Sequence, residues 1–332
     1  MLPRIAILDD YLHVALESAD WSSLSGRCII DVLDRPFASQ ADVVETLAPY
    51  DVLCHLRERT AMPATVIHGL PNLKFMTVTG KAHRTLDLAA ATSQGVLVSH
   101  VSSGDPPSFG APELAWGLVL AVTKRLVEHH DAVRGGGWQT GLGMELHGKT
   151  LGLLGLGALG QQMSRYAHAF GMKVIAWSPN LSNELAEEHS VQRVDKSSFF
   201  QRSDVISIHV VLSDRSRSLV GFEEFGQMKH SAVIVNTSRG PIVQESALLH
   251  ALAAGQIAGA GLDVFDIEPL PVDHPLRQMP NVVLSPHVGY ATQDTFRRFY
   301  EATVRGLCAY LDGAPIHLLN PDASAHSSGT SA

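Results

Sequence analysis

Short apolar runs alternate with helical stretches along almost the whole chain, and that alternation restricts its fold more than any other feature. RIAIL at 4–8, CIIDVL at 28–33, DVLCHL at 51–56, LKFMTV at 73–78 and GVLVS at 95–99 read as buried strands. Between them, VALESAD at 14–20, QADVVETLA at 40–48, PATVIHGL at 63–70 and TLDLAAATS at 85–93 carry helical periodicity. A second series begins at Lys149, with TLGLLG at 150–155, KVIAWS at 173–178, VQRV at 191–194, DVISIHV at 204–210, AVIVNTS at 232–238, AGAGLDV at 258–264 and NVVLSP at 281–286. Strands that follow one another through helices predict parallel sheets covered on both faces, with ligands at the carboxyl ends of the strands.

A length of 332 residues with 45% hydrophobic side chains suits two domains rather than one core. The loop SSGDPPSFG at 102–110 can continue neither a helix nor a strand, and it marks the first crossing between domains. The helical stretch from Thr292 to Tyr310 returns to the first domain, so 1–102 and 290–332 are expected to form a discontinuous outer domain around an inserted domain at 103–289. The segment at 111–134, APELAWGLVLAVTKRLVEHHDAVR, reads as one helix whose apolar face is broader than one core requires, a candidate homodimer interface. The tail at 321–332 is small, polar and unpatterned, which predicts disorder.

Several function classes are excluded. A net charge of -8 without a Lys/Arg run argues against nucleic acid as a partner, and no apolar run approaches the roughly 18 residues of a membrane span. Cys28, Cys54 and Cys308 are widely spaced, which suggests neither a disulfide framework nor a thiolate site, and the scattered histidines suggest no metal. The N-terminus enters a strand directly, without a basic segment and apolar signal core, implying a cytoplasmic protein.

Gly155, Gly157 and Gly160 have the spacing G-x-G-x-x-G, immediately after the run TLGLL and at the start of the helical stretch LGQQMSRYAHAF. In that context Gly155 permits a tight turn, Gly157 admits a pyrophosphate against the backbone, and Gly160 lets helix pack on strand, while Ala158 and Leu159 open the helix whose N-terminus faces the phosphates. The cofactor expected here is a nicotinamide dinucleotide. Three further stretches each end at or just beyond a strand of the second series: VNTSRGPIV with Arg239, DVFDIEP with Asp263 and Glu268, and LSPHVGYAT with His287. A guanidinium, a carboxylate and an imidazole beside a nicotinamide form a complete set for 2-hydroxy acid redox chemistry.

With these residues the chain resembles the D-isomer-specific 2-hydroxyacid dehydrogenases, over RIAILDDY, LPNLKFMTVTGKAHRTLDLAAATSQGVLV, GGGWQTGLGMELHGKTLGLLGLGALG, VNTSRGPIV, GLDVFDIEPLPVDHPL and NVVLSPHVGYAT. The resemblance implies an α/β chain of two domains, a Rossmann-type dinucleotide-binding domain inserted in a flavodoxin-like outer substrate domain. It further implies hydride transfer between NAD(H) and C2 of a small 2-hydroxy or 2-oxo acid of the glyoxylate or hydroxypyruvate kind. His287 would exchange the hydroxyl proton, Glu268 would hold the ring and stabilise imidazolium, and Arg239 would fork onto the substrate carboxylate and carbonyl oxygen. Asp263 would contact the nicotinamide, with Leu212, Ser213, Thr237, Ser238 and Gly289 completing the cofactor contacts. In VTGKAHRTLD, Gly80 and the backbone of Lys81 and Ala82 would receive the substrate carboxylate, and Arg57 in LRERT would read the substrate's tail. The sequence departs from the family pattern at His83, where relatives often have Asn, and at Val211 and Ser213 in HVVLSD. Alternatives left open are a formate dehydrogenase-like enzyme, which would carry Gln in place of Glu268, and a non-catalytic NAD-sensing corepressor.

The stretch WSPN at 177–180 bears on cofactor choice. NAD sites usually place an acid at the end of this strand to bind the ribose hydroxyls, whereas NADP sites supply an Arg for the 2′-phosphate. Ser178 is neutral and no cation follows before Glu184, so Ser178 and Asn180 can bond neutral hydroxyls while a phosphate would lack a partner. NAD is therefore the expected cofactor, with NADP accepted more weakly. Catalytic efficiency should favour NADH over NADPH, and Ser178→Asp should raise that ratio. A parent preferring NADPH, or a ratio that the new carboxylate leaves unchanged, would refute this.

Overall fold

The computed structural model describes residues 1–80, 83–101 and 109–323. The chain forms two compact units, residues 1–108 with 292–332, and residues 109–291. In the first unit β1 (Arg4–Ile7), β2 (Ile29–Val32), α1 (Gln40–Leu47), β3 (Val52–His55), α2 (Ala64–His68), β4 (Phe75–Thr79), α3 (Leu88–Ser93) and β5 (Leu97–Val101) follow in order. All strand pairs are parallel, in the order β2-β1-β3-β4-β5, the flavodoxin-like arrangement.

The second unit runs through α4 (Gly110–Thr123), α5 (Leu126–Arg134), β6 (Thr150–Leu154), α6 (Ala158–Ala169), β7 (Lys173–Trp177), α7 (Asn183–Glu188), β8 (Gln192–Arg193), α8 (Lys196–Arg202) and β9 (Val205–Ile208). It continues with α9 (Phe222–Gln227), β10 (Val233–Asn236), α10 (Glu245–Ala253), β11 (Gly259–Leu262) and β12 (Val282–Leu284), and α11 (Gln293–Leu311) then rejoins the first unit. Its seven-stranded sheet has the order β12-β11-β10-β9-β6-β7-β8. This is the Rossmann order with one added strand, and its direction of winding reverses between β6 and β9.

Alternation within the strands builds the core of this second sheet. Leu151, Leu153, Val174, Ala176, Val205, Val233 and Val235 join one buried cluster with α4 and α6, while Leu154, Ile175, Ile206, Ile208, Ile234 and Leu262 join another with α8 and α10. Helix starts follow the side-chain chemistry expected of them: Ser39, Asp87, Asp195 and Thr292 each accept the backbone N–H three residues on. In the first unit α11 is anchored by Tyr310, whose ring stacks on Phe75 at 4.2 Å.

Three expectations need correction. Residues 14–20 form turns, not a helix: the Asp10 carboxylate takes the N–H groups of Val14 and Ala15, and Trp21 Nε1 takes the Ala15 carbonyl that a helix would have used. The single helix expected over 111–134 is broken into α4 and α5, because Arg125 adopts φ +54° and Met144 N–H captures the Thr123 carbonyl at 2.7 Å. Residues 321–323 of the tail form a single helical turn, with Ala323 fully buried. Just before it, Asn320 bonds Val98 N and Val96 O, both at 2.8 Å. Residues 324–332 lie outside the described residues. Among the described residues no helix is long and apolar enough to cross a membrane.

A buried imidazole, His55, and a half-buried one, His209, give the fold an acid limit. His209, directly after β9, is pushed down to about 4 by burial, and His55, at the end of β3, lies well below the ordinary value for the same reason, aided by neighbouring His83. Below about pH 6.5 the unfolded chain takes up protons that the native state refuses, so stability is complete above that pH and is lost as pH falls towards 4. The unfolding midpoint should therefore fall steadily between pH 7 and 5, and His209→Gln should reduce the slope. An unchanged slope in that variant would contradict the assignment.

Candidate active site

The glycine loop stands at the reversal point of the second sheet, between the ends of β6 and β9. Gly155 has φ +100°, and a Cβ there would come within 2.9 Å of Val210 Cγ1 and 3.0 Å of the His209 carbonyl. At Gly160 a Cβ would collide with the Gly155 carbonyl, so α6 can sit this close only with glycine. A Cβ at Gly157 would meet no atom at all, leaving its outer side open. Gly157 is the N-cap of α6 and supplies no side-chain acceptor, so the first-turn N–H groups from Ala158 and Leu159 onward are available to an anion. The cradle fits a pyrophosphate.

At the end of β7, Ser178 is half-buried with its carbonyl bonded to Leu181 N, and Asn180 is exposed. Folding brings up a cation that is distant in sequence: Arg193 pairs in register with Ala176, and its guanidinium lies 3.4 Å from Asn183 Oδ1. On the other side, Leu212 packs on the core, and Ser213 closes a turn through Ser216 Oγ at 2.7 Å.

The loops after β10, β11 and β12 hold the charged groups. Asn236, only 2% exposed, accepts from Ser238 N and donates to the Arg239 carbonyl at 2.9 Å, fixing the loop through half-buried Thr237. Ser238 Oγ donates to Val210 O, and Arg239 Nη1 donates to Ser238 O at 2.7 Å. Gly240 lies against the backbone of Phe265 and Asp266 so tightly that any Cβ would collide, which locks the Arg239 loop to the Glu268 loop. Glu268 accepts from Phe265 N at 2.9 Å and from His287 Nδ1 at 2.6 Å. Burial alone would raise the Glu268 carboxyl. The His287 hydrogen bond and charge, the Phe265 N–H and the Arg239 charge outweigh it and hold the group below its ordinary value. An ionised carboxylate only accepts, so Nδ1 of His287 is the donor and Nε2 remains for another partner.

His287 has φ +55°, a left-handed conformation that this side chain does not favour. Asp263 holds it there. That carboxylate is 1% exposed and accepts from Ser285 Oγ at 2.6 Å and from the N–H groups of Val288 and Gly289 at 2.9 Å each. Gly289 leaves room for this bond, since its Cβ would stand 3.2 Å from Asp263 Oδ2.

In the first unit, Arg57 has φ +61° and donates its backbone N–H to Thr79 Oγ1, while a Cβ on Gly80 would approach Arg57 Nη1 to 3.0 Å. Arg57 and Gly80 are thus neighbours. Lys81 and Ala82 lie outside the described residues. His83, buried, meets the ring of His55 edge-on at 5.2 Å and is pushed down by burial.

The domain family described as D-isomer specific 2-hydroxyacid dehydrogenase, NAD binding domain, matches residues 116–289. The chain belongs to the D-isomer-specific 2-hydroxyacid dehydrogenase family. It is an oxidoreductase with an NAD-binding domain. A glyoxylate reductase of Aeropyrum pernix is 36% identical over 338 residues, covering 96% of each chain. A hydroxypyruvate reductase of Blautia hydrogenotrophica is 30% identical over 96% of this chain and 99% of its own. Among solved structures, a phosphoglycerate oxidoreductase of Vibrio cholerae superposes with a TM-score of 0.88 at 33% identity, covering 94% of this chain and all of the other.

For this dehydrogenase the sequence reading missed Asn236, Gly240 and Ser285, which steer the reactive loops through buried bonds or close contact. The only signal at Asn236 was a polar residue ending the apolar run AVIV. The structure also shows a task for Asp263 that the sequence did not announce, since its carboxylate accepts three hydrogen bonds that shape the His287 loop. Asp263→Asn replaces one acceptor with a donor and leaves a buried N–H unpaired, costing about 1–3 kcal/mol of stability. At saturating NADH, kcat should fall about tenfold or more, as a 1.4 kcal/mol loss in the transition state would give, while the NADH dissociation constant holds. A variant with weakened NADH binding and intact kcat would instead make the cofactor contact its main role.

Proposed function

We propose that this enzyme reduces a small 2-oxo acid of the glyoxylate or hydroxypyruvate kind, with His287, Glu268 and Arg239 as its catalytic residues. The observation that carries the reading is the 2.6 Å bond between His287 Nδ1 and a Glu268 carboxylate held ionised in part by the Arg239 charge. The names of the glyoxylate and hydroxypyruvate reductases similar to this chain support the substrate class. NADH, when bound over the Gly155–Gly160 cradle, supplies the hydride to C2.

Arg239 presents a planar fork to the substrate carboxylate and carbonyl oxygen, fixing the face of C2 and drawing electron density towards the oxygen. As that oxygen gains charge, the proton on His287 Nε2 passes to it and completes the hydroxyl. Glu268 stabilises the imidazolium before transfer and orients the ring throughout. Gly155, Gly157, Ala158, Leu159 and Gly160 would hold the pyrophosphate, Ser178 and Asn180 the ribose, and Leu212, Ser213, Thr237 and Ser238 the rest of the dinucleotide. Arg57 and Gly80 are proposed to contribute to substrate binding.

The enzyme is further proposed to work in the cytoplasm as a homodimer. None of the α5 residues is buried, and beyond α5 Trp138 is 75% and Leu142 93% exposed, apolar surface that a second copy would cover. Sedimentation at micromolar concentration should give a dimer, and a monomer would refute it.

His287→Ala should lower kcat by roughly 10²- to 10⁴-fold, the usual worth of a general acid, with NADH affinity kept. Arg239→Lys should lose more than about threefold in kcat/KM, about 0.65 kcal/mol, because one ammonium cannot span two oxygens. Comparable turnover of the best 2-oxo acid by His287→Ala and the parent would overturn the assignment.

A further inference from the structure

The first unit contains a cavity of about 210 Å³ that none of the residues assigned above lines. It opens where the end of β5, the middle of α11 and the segment following α11 meet. Small residues on α11 create the space. At Gly306 an added Cβ would find only Thr77 Cγ2 and Val101 Cγ1, both at 3.8 Å, and Ala302, one turn earlier, contributes no more than a methyl group.

The facing wall is fixed by backbone. His100 N donates to His317 O at 3.0 Å, Ser99 Oγ donates to Ile316 O at 2.7 Å, and Ser99 bridges Leu318 in antiparallel sense. His317 is held at φ +55°, with its ring 5.3 Å from that of His100. Arg305 completes the rim. It is exposed, and among the described residues it makes no ion pair and no acidic side chain lines the cavity.

We propose that this cavity binds a small organic monocarboxylate, with its carboxylate on Arg305 and the two imidazole edges and its aliphatic body against Val101, Ala302 and Ile316. The chemistry of the walls selects this class. One permanent cation matches one negative charge, and a guanidinium pairs with a carboxylate through two parallel bonds. The carbon-lined interior rewards an apolar body and gives a hydrated dianion such as phosphate too few partners to replace its water.

The test is calorimetric titration of the whole enzyme with hexanoate at constant ionic strength, a probe that has no 2-oxo group and cannot be turned over. A saturable component should appear that Arg305→Gln weakens at least tenfold while turnover of the 2-oxo acid stays unchanged. Gly306→Leu, which fills the space, should abolish it. The same component should persist in Arg239→Gln, which separates it from binding at the catalytic fork and from any failure of the proposed activity. Absence of saturable heat, wild-type affinity in Arg305→Gln, loss of the component in Arg239→Gln, or inorganic phosphate binding as tightly as hexanoate would each overturn the proposal.

Discussion

Both sheets are parallel throughout, and a parallel pair cannot be closed by a tight turn. Each strand must return through a crossover, so in either unit all strands deliver their carboxyl ends to the same edge. In the second unit that edge receives the glycine loop after β6, the Arg239 loop after β10, the Glu268 loop after β11 and the His287 loop after β12. The reversal of winding between β6 and β9 keeps helices from covering the edge there, which is why Gly155 can lie against His209 and Val210 while Gly157 keeps an open outer side.

Collecting charged groups on one edge is costly unless each is held by hydrogen bonds. Asp263 answers three donors from its neighbouring loop, Glu268 answers a backbone N–H and an imidazole, and Asn236 joins its own loop by both ends of its amide. These bonds hold the geometry in place before any ligand arrives. The left-handed backbone of His287 persists because Asp263 grips both residues that follow it. Stability and reactivity are therefore coupled through the same few carboxylates, with Gly240 transmitting the position of one loop to the next by close contact alone.

The cofactor cradle was legible because its requirements are local. A strand, three glycines and a helix start within a short span, and the steric reasons for Gly155 and Gly160 are met within that span or by the residues just after β9. Arg239, Glu268 and His287 were legible because each follows an apolar run that could only be a strand. Arg193 was not: it reaches the start of α7 through pairing of β8 with β7, and nothing in WSPN announces that. The helix expected at 14–20 failed for the same kind of reason, since Asp10 and Trp21 take over its backbone groups from either side. The break at Arg125 depends on Met144, far along the chain.

By itself the sequence determined the alternation of strands and helices, the parallel class of the sheets and the chemical kinds of group at the strand ends. These follow from periodicity and from chain geometry acting over a few residues. Only the tertiary structure decided which carboxylate grips which loop, that Asp263 takes three donors around His287, and that Arg193 stands beside the start of α7. Those outcomes rest on hydrogen bonds and close contacts between residues brought together by strand order, and strand order is set by packing of the whole sheet rather than by any segment of it.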